Sequence, residues 1–170
     1  MLDRQETQEV LRSFIANVLN DARVNLRNSN ANASGRLSKS LEGDLKVNPN
    51  SLEVDILMEK YGKFMDQGVS GTERKFNTPY SFKKGIQNRP SPKHFNGWIV
   101  KKGLAPRDER GRFTARKALS FAIATSIQKK GIKPRLFLTK AFEKNIKTLP
   151  EEIVEAYALD VESFINLTIN

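Results

Sequence analysis

Residues 69–112 hold most of the glycines and prolines of this 170-residue chain, together with many of its cations. Within them, Asn88-Arg89-Pro90-Ser91-Pro92-Lys93 cannot be regular helix, because each Pro drives its predecessor out of helical geometry. Gly97-Trp98-Ile99-Val100 suits a short helix, and Leu104 to Phe113 reads as an exposed, charged loop. A connection of this length is uncommon inside a compact fold and marks a functional insertion. The core must come from the periodic segments on either side.

Those segments are legible. Over residues 7–27, Leu11, Phe14/Ile15, Val18, Ala22 and Leu26 recur every three or four positions, the spacing of one helix face. Thr7 is the expected N-cap, and the Asn/Ser cluster at 28–32 ends the helix by competing for backbone hydrogen bonds. Leu45-Lys46-Val47 opens a strand and Asn48-Pro49-Asn50-Ser51 is turn chemistry. Leu52, Val54, Ile56 and Met58 then alternate with more exposed positions, which predicts a hairpin with one buried face.

Residues 114–130 predict a second helix, capped by Thr114, with Ala118, Phe121/Ala122 and Ile127 inward. Lys129-Lys130-Gly131 supplies its C-terminal signals. Leu136 to about Ile146 is a third helix. Thr148-Leu149-Pro150-Glu151 matches a capping box that opens a fourth, running to about Glu162. The alternation from Phe164 to Ile169 suggests an edge strand. The expected fold class is α+β in one 1–170 domain. A small, mainly antiparallel sheet is packed by the 7–27 and 114–130 helices, with a long basic insertion arm at about 69–113.

Charge is unevenly spread. The net charge is +10, yet residues 1–70 carry −1, residues 71–147 carry +16 and residues 148–170 carry −5. A basic block of this kind suits a polyanion or an acidic protein face, and long-range attraction sets encounter and register. The absence of cysteine excludes disulfides, thiolate metal sites and a cysteine nucleophile. MLDRQETQEV lacks the apolar core of a signal peptide, and no apolar run reaches membrane-spanning length. A soluble chain, or a member of a soluble assembly, is expected.

No catalytic constellation stands out. His94 is the single histidine, and neither GxxxxGK[ST] nor GxGxxG is present. Asp44, Glu53, Asp55 and Glu59 around the hairpin would suit a magnesium-dependent nuclease only if they converged on one ion. On an alternating strand, Glu53 and Asp55 instead share the solvated side. Phe76, Tyr80, Phe82, Phe95, Trp98 and Phe113 lie among the cations, where they serve either base stacking or the anchoring of a long loop.

Three separated pieces carry a resemblance. They are Ser34-Gly35-Arg36-Leu37 with Ser40, Tyr61-Gly62-Lys63-Phe64-Met65-Asp66-Gln67-Gly68, and Pro134-Arg135-Leu136-Phe137 leading to Phe142. In this order the chain resembles the tail-completion, or head–tail joining (neck, connector), proteins of tailed bacteriophages. That family's markers are a TGxLxxS turn, a YaxxxExGT-like turn after a hairpin and an RPFLxxAf segment opening a later helix. Ser34 stands where Thr is usual, Asp66-Gln67-Gly68 replaces the Glu-containing turn, and the 71–130 block is longer than in most members. Arg107 to Phe113 also resembles an RDxxGRF loop of phage structural proteins.

The resemblance implies a non-enzymatic virion structural protein without cofactor, metal or small-molecule ligand. It implies a homo-oligomeric ring, six- or twelve-fold, at the neck or tail end, made in the host cytoplasm. Its partners would be neighbouring connector and tail proteins and the genomic DNA passing through, with no membrane involved. Ser34, Gly35, Arg36 and Leu37 would form the turn, and Tyr61, Phe64 and Gly68 the strand exit. Pro134, Leu136, Phe137 and Phe142 would fix the later helix to the core. Lys83, Lys84, Lys101, Lys102, Arg107, Arg110 and Arg112 are candidates to face DNA or a neighbouring subunit. The alternative is a basic nucleic-acid-binding accessory protein, with the nuclease weaker still.

Overall fold

The computed structural model describes residues 4–29, 34–105, 107, 110–113 and 115–169. Its helices are α1 (Gln5–Asn28), α2 (Arg36–Lys39), α3 (Gly62–Gln67), α4 (Asn96–Lys101), α5 (Arg116–Lys130), α6 (Phe137–Asn145) and α7 (Leu149–Ile169). Strands β1 (Glu42–Val47) and β2 (Leu52–Leu57) form one antiparallel hairpin, in register from Glu42 opposite Leu57 to Val47 opposite Leu52. The fold is α+β, as expected, with a sheet of two strands among the described residues. The chain divides into two compact units. One comprises Met1–Ser29, Arg36–Glu59 and Phe137–Asn170, the other Asn30–Gly35 and Lys60–Leu136.

The first unit is built on α1. Leu11, Phe14, Ile15, Val18, Leu19, Ala22 and Leu26 are buried, the face that the period predicted. Helices α6 and α7 and the hairpin pack against it. Gly43 lets β1 lie on the helix, because a Cβ there would sit 2.1 Å from Ile15 Cγ2. Asn48 N–H closes the hairpin turn on Ser51 C=O at 2.9 Å. Arg23 donates to the carbonyls of Ser38 at 3.3 Å and Leu41 at 2.6 Å, holding the α2 turn to α1. Phe137 is fully buried at the start of α6.

Several expectations are corrected here. Thr7 is not the N-cap: it lies inside α1, buried, while Arg4 takes the cap position without a side-chain bond. The carboxylate of Asp160 from α7 serves the first turn instead. The tail from Phe164 to Ile169 is no edge strand but the last turns of α7, which runs past Glu162. Helix α5 belongs to the second unit, whereas the hairpin belongs to the first and lies on α1. The expected cap at Thr114 lies outside the described residues.

Candidate assembly and polyanion surface

The second unit is framed by close backbone approaches. Val69 and Ile132 exchange N–H···O=C bonds at 2.9 and 2.8 Å. Gly71 and Gly131 face each other there. A Cβ on Gly71 would lie 2.0 Å from Lys129 O, and one on Gly131, at φ +77°, would lie 2.2 Å from Val69 O. Gly68, at φ +76°, leaves space that Pro134 fills, since a Cβ would meet the proline ring at 2.7 Å.

Beyond Pro134, Arg135 N–H reaches the carbonyls of Met65 and Asp66 at 3.1 Å, and Leu136 N–H reaches Asp66 C=O at 2.9 Å. Leu136 adopts φ +51°, a left-handed conformation that costs roughly 1–2 kcal/mol for a side chain of this kind. The bond to Asp66 offsets that strain. Thus the second and third marker segments, some 66 residues apart from Gly68 to Pro134, meet along one seam.

Helix α5 buries a face other than the expected one. Ser120, Ala124 and Gln128 point inward, while Ala118, Phe121 and Ala122 are exposed and Ile127 is half-buried. The reason lies in the irregular segments packed against it. Gln128 Nε2 donates to the carbonyls of Lys83 at 3.0 Å and Gly85 at 2.7 Å, and Ser120 Oγ lies 2.6 Å from Asn96 Oδ1. Loop carbonyls need donors when buried, so polar side chains take the inner face.

All seven candidate cations, Lys83, Lys84, Lys101, Lys102, Arg107, Arg110 and Arg112, are exposed. Several cations of the unit lie over aromatic rings. The Arg89 guanidinium sits 4.0 Å over Phe121 and Arg107 sits 4.1 Å over Phe113, its β-bridge partner, which is 70% exposed. Lys63 Nζ is 5.1 Å from the Phe64 ring and 5.8 Å from that of Tyr80. These two rings meet edge to face at 4.8 Å beside a cleft of about 560 Å³ lined by Tyr61, Met65, Phe82 and Ile132. From Lys60 to Leu136 the unit carries 19 Lys/Arg and four Asp/Glu, a net +15, leaving −5 for the first unit. Exposed cations with stacked aromatics can attract a phosphate backbone and present π-faces to bases or apolar side chains.

Of the marker residues in the first piece, Gly35 turns the chain at φ +72°, Leu37 and Leu41 are buried, and Ser34 is exposed. Arg36 Nε donates to Glu59 at 2.7 Å. Tyr61 and Phe64 lie not at a strand exit but at the cap and first turn of α3, whose end is Gly68. Phe142 remains 42% exposed, touching Phe14 only edge-on at 5.7 Å, so it is no buried anchor.

The hairpin carboxylates gather on a cation of their own. Lys46 pairs with Asp55, and that bond, with the nearby charges of Asp55, Glu53 and Asp44, raises the Lys46 pKa. Among the described residues no three His, Asp or Glu side chains are grouped to hold a metal ion, and His94 is exposed. Pattern reading missed Asp160, Ser120 and Gln128, whose partners are distant in sequence. It also missed an exposed apolar stripe on α7, for which the spacing Val154, Tyr157, Val161, Phe164 was a usable signal. No protein-family model, curated protein or solved structure matches this chain.

Proposed function

We propose that this protein is a ring-forming structural subunit of a tailed-phage neck or tail end, joining connector to tail around the passing DNA. The observation that carries the reading is the segregation of charge, net +15 on one compact unit and −5 on the other. A ring closes through heterologous contacts, so each subunit must present two unlike, complementary faces. The seam between Asp66-Gln67-Gly68 and Pro134-Arg135-Leu136 supports it too, since two of the three markers behind the resemblance are one structural element. Exposed Tyr157, Phe164 and Ile165 on α7 and Phe113 and Phe121 on the basic unit supply apolar surface that an assembly would cover. Imaging of the isolated protein tests the reading: closed rings with a central hole support it.

A second reading is favoured by the stacked Arg107–Phe113 and Arg89–Phe121 pairs. Such pairs equip a nucleic-acid-binding accessory protein acting as a monomer or dimer. Tight DNA binding by a monomer that never forms rings would select it.

A further inference from the structure

We infer that α7 of one copy packs along α5 of the next, a heterologous helix–helix contact that repeats from subunit to subunit. The inference rests on the ring-forming reading and names its interface. Helix α7 has two apolar faces. Leu149, Ala156 and Asp160 turn inward, and Asp160 is satisfied by α1. Val154, Tyr157, Ala158, Val161, Phe164 and Ile165, spaced by three and four, form a second stripe about a third of a turn away. Val154 is 70% and Tyr157 49% exposed. Glu151 and Glu162 border it on one side, and residues 148–170 contain no Lys or Arg.

Helix α5 carries the complement. Beside its buried face, Ala118, Phe121 and Ala122 make an exposed apolar patch, bounded by Thr125, whose hydroxyl accepts from Arg89 at 3.1 Å. Two cations lie beside it, Lys117 and the Arg89 guanidinium stacked on Phe121, while Lys129 pairs with Glu73 at 3.0 Å. The two alanines let a facing helix approach closely, with Tyr157 as the knob and the uncovered edge of Phe121 beside it. Sign decides the occupant. A second α7 would set glutamates against glutamates, and an anionic lipid surface would repel the same residues. A basic helix of another copy satisfies both the apolar stripe and the charge.

The test mixes two variants of the full chain, Phe121→Asp on α5 and Tyr157→Asp on α7, in sedimentation velocity. The wild-type chain should associate beyond a dimer, and each variant alone should be monomeric, with an apparent dissociation constant raised at least about tenfold. Mixed one to one, the variants should form a dimer and nothing larger, because the first retains an intact α7 and the second an intact α5. Added salt should weaken that dimer. Ala122→Glu with Val154→Asp repeats the design at exposed positions, and unchanged thermal melting confirms folding.

Assembly of both variants like the wild type would overturn the contact while leaving ring formation standing. Loss of assembly in Tyr157→Asp alone would assign an α7–α7 contact instead. Wild type and mixture both monomeric throughout would also overturn the contact. A dimer from the mixture with open chains from the wild type would keep the contact and refute the ring.

Discussion

Asp160 holds the beginning of α1 from 153 residues away. Its carboxylate accepts the N–H groups of Glu6 and Thr7 at 3.0 Å and the Thr7 hydroxyl at 2.6 Å. The first turn of a helix has N–H groups without intrahelical partners, and an anion there also meets the positive end of the helix dipole.

Burial pushes the Asp160 pKa up, but the hydrogen bonds from Thr7 and Glu6 and the charge of Arg4 outweigh it and leave it lowered. A lowered pKa means that protonation costs more in the folded state. The contribution is therefore complete above the unfolded-state value of about 3.9, and it is lost as pH falls through the folded value. Asp160→Asn should cost about 1.5–3 kcal/mol at neutral pH, as loss of charged hydrogen bonds does, and the difference should shrink as pH falls through the folded value. Urea unfolding across pH checks this, and a pH-independent difference would contradict the role given to the carboxylate.

Phe137 is fully buried in the first unit, so Phe137→Ala should destabilise by roughly 3–5 kcal/mol in chemical denaturation. Phe142→Ala, at a half-exposed position, should cost far less. Equal costs would mean that Phe137 is not the anchor of α6.

Gly131→Ala probes the seam of the second unit. Positive φ strains any side chain by roughly 1–2 kcal/mol, and the clash with Val69 O adds to it. Thermal melting should fall clearly. A neutral result would show that residues 69–71 and 131–132 do not approach as described.

How much of this was legible in the sequence follows from the range of each interaction. The α1 face and the hairpin turn were read correctly because local period and turn chemistry decide them. The buried hairpin face was not, since Leu52, Val54 and Ile56 are only half-buried, and β1 begins at Glu42 rather than Leu45. The inner face of α5 was not, because Ser120 and Gln128 are buried by carbonyls and an amide from segments 24 to 45 residues away. Phe164 to Ile169 fits both a strand and a helix over so short a run, and continuity with α7 settles it. Of the site, the cations were visible as a charge block. The Gly71–Gly131 approach was not, since either glycine alone is only a turn residue.

Lys101→Ala/Lys102→Ala/Arg112→Ala removes three exposed cations. If these residues face phosphates, DNA affinity should fall for all sequences alike. The slope of log K against log salt should become shallower by about 0.9 for each phosphate no longer neutralised. An unchanged slope would move the DNA path elsewhere or assign these cations to a protein neighbour.

The most direct measurement is negative-stain imaging of the purified full chain at low salt, with its mass determined by light scattering. Ring assembly predicts closed particles with a central hole and a mass that is one whole multiple of the subunit. A monomer that binds duplex DNA tightly, with a steep salt dependence and no ring at any concentration, would contradict it.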